Sequence, residues 1–306
     1  MPEIQVVSRI APTPSGFLHK GNAFNFLLTY LLVRYHNGKL WLRIDDIDDA
    51  RSRPEFIEDI YDTLDWLEMQ PDFGPSGPKE FTTKYSQQLH MGEYRQAVES
   101  LLSRGLAYAC KCSRKQIKRL SRNGIYPGTC RLTSDKAFSV PHAIRCALGE
   151  EASRVEVPSY EESSLVLVNL RREMGDFVLW RKDNVAAYQV ASVCDDIRMG
   201  TNLLVRGEDL LLSSAAQLWL SGHLAEEGLQ KASFIHHSLL MEADNRKLSK
   251  SEGSLSLKAM REEGLSSGSL LKDFCRWMNM PFDQPADLQE LAEAFAEWFG
   301  QSGRLP

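Results

Sequence analysis

The chain has 306 residues, with 36 basic and 41 acidic side chains, a net charge of -5, 43% hydrophobic residues and six cysteines. That length holds one large α/β unit or two ordinary domains and buries a core without disulfides, and the composition excludes a disordered chain. No apolar run approaches the ~20 residues of a membrane span, and Glu3 and Arg9 interrupt any secretory core, so a cytoplasmic protein with reduced thiols is expected. Residues 6–10 form a short β-branched run that predicts a strand. Pro12, Pro14 and Gly16 then forbid regular structure. Residues 21–35 are apolar nearly all round and predict a buried helix, closed by Asn37-Gly38 as a left-handed end. Residues 39–44 alternate as a second strand. Strand, loop, helix and strand make a βαβ unit, which predicts a parallel sheet. Further helices are expected over residues 54–67, 88–104 and 213–224, strands over 175–182 and 202–206, and a loop over 72–78. Residues 258–299 read as helical, broken at Gly264 and near Pro281.

The segment Pro12-Thr-Pro-Ser-Gly-Phe-Leu-His19-Lys-Gly21-Asn22 joins the first strand to the first helix. The free N–H groups and positive dipole end of that helix suit a phosphate. Gly21 lets the backbone approach a nucleotide closely, and His19 adds a donor. Far downstream, Arg246-Lys247-Leu-Ser-Lys250-Ser251-Glu-Gly253 places two lysines three apart on a Ser/Gly-rich loop. Such a loop can cover a triphosphate and neutralise the charge that grows during its transfer. Each segment alone also reads as a plain turn or a solvated basic loop.

Taken in this order, the two segments resemble the two signatures of class I aminoacyl-tRNA synthetases. Arg9-Ile-Ala-Pro-Thr-Pro-Ser-Gly, Leu42-Arg-Ile-Asp-Asp-Ile-Asp48, Ala187-Tyr-Gln-Val-Ala and Val205-Arg-Gly-Glu-Asp follow the glutamyl branch in order and spacing. The resemblance runs over about residues 5–280. It implies a Rossmann-like, doubly wound parallel α/β sheet from residues 1–105 and 176–250. An inserted zinc-containing, tRNA-contacting subdomain would occupy 106–175, and a helical stem-contact segment 251–306, with no anticodon-binding domain. The implied chemistry is activation of L-glutamate by ATP with Mg²⁺, giving glutamyl-adenylate. A carboxylate is already ionised at neutral pH, so no general base is needed, and catalysis becomes positioning plus charge neutralisation.

By family position, His19, Gly21, Asn22 and Lys250 hold ATP. Lys250, helped by Lys247, stabilises the pentacoordinate phosphate, with His19 in the same catalytic set. Arg9 and Arg206 face the substrate's side-chain carboxylate, which a guanidinium fork fits. Tyr188 and Thr13 belong to the same glutamate-binding set, and Asp45 takes the α-ammonium. Asn22 departs from the family's fullest form, standing where many members carry a second histidine. Asp45 stands where glutamyl enzymes usually carry Glu and glutaminyl enzymes carry Asp. It reaches roughly 1.5 Å less far, which keeps glutamine open, although the Tyr188 motif follows the glutamyl pattern. Asp46, Asp48 and Asp49 are expected to pair with Arg43, Arg51 and Arg53 rather than bind a metal.

Cys110, Cys112 and Cys130 fall within 21 residues, which in a reducing compartment suggests a tetrahedral zinc site. No histidine lies inside the segment. The arrangement Cys-x-Cys…Tyr-x₃-Cys resembles the zinc site of the shortened glutamyl-queuosine tRNA(Asp) synthetases, which implies one structural Zn²⁺ and Tyr126 as fourth ligand. Water or a downstream side chain is the alternative. A phenol titrates near pH 10, so the metal must displace its proton. No acid lies from Cys110 to Arg131, while Lys111, Arg114, Lys115, Lys118, Arg119 and Arg122 do, and such a positive face fits tRNA phosphates. About 55 residues follow Ser251, too few for the anticodon-binding region of long glutamyl enzymes. The family then implies a monomer that transfers glutamate to queuosine at the wobble position of tRNA(Asp). Ser251 departs slightly, since many shortened members carry Gln there. Three other readings stay open: an orthodox enzyme charging the 3′ end of tRNA(Glu), an adenylating enzyme with a non-tRNA acceptor, and a non-catalytic tRNA- or zinc-binding module.

Overall fold

The β-branched run becomes strand β1 (Val7–Ile10), and the chain turns through its prolines into α1 (Lys20–Tyr35) and β2 (Lys39–Leu42). The computed structural model describes residues 5–121, 124–132, 138, 141–160, 165–226, 228–240, 256–282, 284–303 and 305. After β2 come α2 (Pro54–Trp66), the short α3 (Pro78–Glu80), a π-helical turn at Phe81–Tyr85, and α4 (Met91–Ser103). Next are β3 (Ala107–Cys110), α5 (Arg114–Leu120), β4 (Ala143–Cys146), β5 (Val155–Pro158), β6 (Leu165–Val168), α6 (Leu170–Glu173) and β7 (Val178–Trp180). The remaining elements are α7 (Tyr188–Arg198), β8 (Leu203–Gly207), α8 (Leu211–Leu224), β9 (Ser233–His237), α9 (Leu257–Glu262), α10 (Ser267–Trp277) and α11 (Leu288–Ser302). The chain forms two compact units: Met1–Ser86 with Leu203–Asp209 and Ile235–Pro306, and Gln87–Asn202 with Leu210–Phe234.

In the first unit β1 and β2 pair in parallel, from Val7 opposite Lys39 to Ile10 opposite Leu42, as the βαβ pattern predicts. The reversal between α1 and β2 needs both of its residues. Asn37 takes φ +50°, which asparagine tolerates better than most side chains. A Cβ on Gly38 would sit 2.5 Å from Val6 O. Helix α1 buries Phe24, Leu27, Leu28, Leu31 and Leu32 on several faces because it packs on β1, β2 and β8 and also against α10 and α11. Phe24 meets Phe274 edge-on at 5.5 Å, and Tyr35 meets Phe299 at 5.1 Å. Among the described residues the ladders of this unit are β1–β2 and β8–β9. This is less continuous than the expected doubly wound sheet. A side-chain bond bridges the gap, with Ser8 Oγ on β1 donating to Leu203 O on β8 at 2.7 Å.

In the second unit β4 is the centre of a three-stranded antiparallel sheet, between β3 and β7. Asp176, just before β7, accepts Tyr108 Oη at 2.6 Å and Leu148 N at 3.0 Å. Helices α4, α7 and α8 pack together. Asp195 on α7 is 1% exposed and accepts from Gln87, Tyr94 and Arg198 at 2.7–2.8 Å, which satisfies a carboxylate that burial would otherwise penalise. Strands β5 and β6 form a separate antiparallel pair. No helix among the described residues is long and apolar enough to cross a membrane.

Candidate active site

The turn expected to face a phosphate is built around His19, which caps α1 in an extended conformation. Its N–H donates to Asn22 Oδ1 at 3.1 Å, while Asn22 N donates back to His19 O at 2.9 Å. Asn22 therefore acts as a capping residue through its oxygen. A Cβ on Gly21 would lie 3.0 Å from Cε1 and Nδ1 of the His19 ring, so this glycine sets where the imidazole rests. The turn is anchored from behind. Leu18 N donates to Asp59 Oδ2 at 3.1 Å, and Asp59 Oδ1 accepts Arg261 Nη2 at 2.5 Å. Arg261 also reaches Thr63, and Leu257 N donates to Leu18 O at 2.8 Å. Lys247, Lys250 and Ser251 lie outside the described residues. The anchoring α9 begins just after them in the chain.

Of the residues expected to read the amino acid, Arg9, Arg206 and Asp45 lie on or beside strands of the same unit. Arg9 lies on β1 and Arg206 on β8, 4% and 3% exposed. Asp45 follows β2, where its N–H donates to Pro12 O at 2.9 Å and so ties it to the proline turn. Its carboxylate is gripped by Arg43, through Nε at 2.6 Å and Nη2 at 3.1 Å. Of the expected partners, Arg51 keeps Asp48, while Arg43 also grips Asp45 and Arg53 lies against Glu55. Arg43 pairs with Asp45, two residues on along an extended segment, where side chains share a face. Arg51 pairs with Asp48 at 2.8 Å as expected, and Arg53 with Glu55 at 3.6 Å. Asp46 accepts Ser86 Oγ at 2.5 Å. Thr13 is exposed in the turn. Tyr188 opens α7 in the second unit with an exposed side chain, and its neighbour Gln189 bonds Ser213 and Gln217, each at 3.0 Å.

Three groups near Arg206 were not foreseen. Asn25, one turn after Asn22 on α1, donates to Val205 O at 3.2 Å and faces His237 Nε2 at 3.0 Å. His237 Nδ1 lies 2.9 Å from Ser238 O. A carbonyl only accepts, so Nδ1 carries the proton and Nε2 accepts from Asn25. Burial favours this neutral imidazole by lowering its pKa. His236 is held down to about 4, first by burial and then by the positive charge of Arg206 and the neighbouring His237 ring. A polar residue facing inward from a helix apolar nearly all round is the sequence signal for Asn25. The histidines carried none.

In the second unit the three candidate ligand thiols come together, every pair of Sγ atoms lying within 4.8 Å. Cys112 Sγ is 3.6 Å from Cys130 Sγ and 3.8 Å from Tyr126 Oη, which also accepts Cys130 N at 2.8 Å. Tetrahedral zinc with bonds of about 2.3 Å sets its sulfurs about 3.8 Å apart, so the donor set fits. Burial raises the thiol pKa of Cys130, but hydrogen bonds from Tyr126, the Lys111 backbone and the neighbouring thiols win and bring it to about 7. Tyr126 is pushed up, by burial first and then by Cys110 and Cys130.

Residues 5–295 match the family described as tRNA synthetases class I (E and Q), catalytic domain. The chain is 35% identical over 281 residues to the glutamyl-Q tRNA(Asp) synthetase of Nitratidesulfovibrio vulgaris, covering 86% of this chain and 83% of that one. It is 36% identical over 306 residues to the protein of the same name from Symbiobacterium thermophilum, covering 94% and 91%. Its fold is that of the glutamate-tRNA synthetase of Elizabethkingia anophelis, with a TM-score of 0.77 at 23% identity over 95% of this chain. The match spans 65% of that longer protein. With both signature segments in order and buried arginines on adjoining strands, the chain belongs to the class I tRNA synthetases of the E and Q catalytic family, among the glutamyl-Q tRNA(Asp) synthetases.

Proposed function

We propose that the chain is a ligase that activates L-glutamate with ATP and transfers it to queuosine at the wobble position of tRNA(Asp). The observation that carries the amino-acid part is the pair of buried guanidiniums, Arg9 and Arg206, on strands joined by the Ser8–Leu203 bond. Their forks match a side-chain carboxylate. Asp45, oriented by Arg43, takes the α-ammonium. The α-carboxylate attacks the α-phosphorus, pyrophosphate leaves, and glutamyl-adenylate forms. His19, Gly21 and Asn22 position the ATP, which Mg²⁺ accompanies, and Lys250 with Lys247 neutralises the charge of the transition state. A queuosine hydroxyl then attacks the activated carbonyl and releases AMP. The acceptor assignment rests on the relatives' names and on the acid-free basic segment from Cys110 to Arg131.

Cys110, Cys112, Tyr126 and Cys130 would hold one Zn²⁺, whose part is structural, stapling β3 to the loop after α5 in the segment 106–175. Metal analysis should give about one zinc per chain, lost in Cys110→Ser. The function is tested with labelled glutamate and three purified acceptors: tRNA(Asp) with queuosine, tRNA(Asp) without it, and tRNA(Glu). Labelling confined to the queuosine-containing tRNA(Asp) supports the proposal. Equal labelling of queuosine-free tRNA(Asp) sinks it, and labelling of tRNA(Glu) alone identifies a 3′-end charging enzyme.

A further inference from the structure

Beside the cysteine cluster the second unit opens a cleft of about 660 Å³, within the range of sites that enclose a small ligand. Its lining joins two chemistries. Arg114, Lys118 and Arg145 supply three cations, and among the described residues no acid lines it. Tyr126, Met174 and Phe177 supply an apolar and aromatic wall. Arg145 links the two halves. Its guanidinium lies 4.1 Å from the centre of the Tyr126 ring, so a flat cationic plate is already layered on an aromatic one. Its Nη1 is fixed by Asp176 O at 2.7 Å. Its Nε is buried with no hydrogen-bond partner among the described residues, a donor left unsatisfied.

A plate of this kind, with a spare donor beside it and cations at the rim, is how proteins hold a base with its phosphate. An inorganic anion would use the cations and leave the apolar wall idle. An apolar ligand would use the wall and leave three charges facing it. We propose that this cleft receives one unpaired nucleotide of an RNA. The base lies against Arg145, Met174 and Phe177, and the adjoining phosphate lies on Arg114 and Lys118. The proposal rests on the reading of this chain as an enzyme that acts on RNA. It adds that one nucleotide is extruded from its stack and held, rather than the phosphates alone being touched. Duplex RNA offers no free base face and is excluded from the wall.

The test uses the full chain and a single-stranded RNA heptamer carrying 5-iodouridine at one position. Binding is followed by fluorescence anisotropy, and photo-crosslinks are mapped by mass spectrometry. The expected crosslinked peptides contain Tyr126, Met174 or Phe177. An abasic residue at the same position should weaken binding by about tenfold or more, the loss of one stacked base. The double variant Arg114→Ala/Lys118→Ala should flatten the slope of log affinity against log salt by about 1.4, two single-strand phosphate contacts. Crosslinks mapped wholly elsewhere, or an abasic heptamer that binds as well as the parent, overturn the proposal. So does full displacement by UMP at heptamer-like concentrations, which would make the cleft a free-nucleotide site. ATP–pyrophosphate exchange with glutamate on the unmodified chain tests the activation chemistry separately, so failure of the cleft and failure of the proposed function read differently.

Discussion

At residue 21 the helix forgoes about 0.5–1 kcal/mol of propensity by using glycine in place of alanine. The sequence suggests close approach of a nucleotide as the reason, and the structure adds the His19 ring 3.0 Å from any Cβ. Gly21→Ala should therefore leave the thermal midpoint unchanged or raise it, while the KM for ATP in pyrophosphate exchange rises roughly tenfold or more as the ring is displaced. A variant that loses stability and activity together would show that the glycine serves folding alone. Asp45 gives a second case. Its position was legible from the motif. Its partner was also legible in principle, because residues two apart on an extended segment share a face, yet the dense acidic run offered several alternatives. Both members of the Arg43–Asp45 pair are almost wholly buried, so removing Arg43 leaves a buried carboxylate without this cation. Arg43→Met should cost about 3–5 kcal/mol in urea denaturation, and a loss below about 1 kcal/mol would mean that the pair is solvated in solution.

Among the elements, those set by local chemistry were readable: α1 from its apolar run, its end from Asn37-Gly38, α2 from its leading proline, and the breaks in residues 258–299 from Gly264 and Pro281. Strand β3 and helix α7 were not. Ala107–Cys110 is buried at every position and so shows no alternation. Tyr188–Arg198 buries polar groups such as Gln189, Ser192, Asp195 and Asp196, which hides the helical stripe. The Asp59 anchor was equally invisible, because its arginine lies 202 residues away in sequence. That anchor ties two elements to the turn at Leu18: α2 through Asp59 and α9 through Arg261. Asp59→Ala leaves Leu18 N and the Arg261 guanidinium without this acceptor and should destabilise the protein by about 1–3 kcal/mol. It should also lower pyrophosphate exchange more than it lowers glutamate binding, since Arg9 and Arg206 lie on other elements. Equal loss of both would show a global defect rather than a loosened turn.

For the whole molecule, the net charge of -5 describes neither of the places where charge matters. The acid-free stretch carrying α5 is strongly basic, and the first unit keeps its cations buried beside neutral histidines. The second fact gives a pH dependence whose sign can be worked out. An unfolded histidine takes its proton near pH 6.5, whereas His236 in the folded chain refuses it until about pH 4. Between those values the unfolded chain binds more protons than the folded one, so stability must fall as pH falls through that window and is fully present above it. His237, also lowered by burial, acts in the same direction. Thiol ligands would release a metal as they protonate, which also weakens the protein in acid, so the total slope cannot be assigned to one cause. The difference between two proteins can. His236→Asn removes the titration while leaving the cysteines untouched, so the fall in urea midpoint from pH 7 to pH 5 should be smaller in the variant than in the parent. Identical falls would mean that the imidazole is solvated and that Arg206 does not press on it. A steeper fall in the variant would mean that the protonated ring is being stabilised, the opposite of what its burial next to a guanidinium requires.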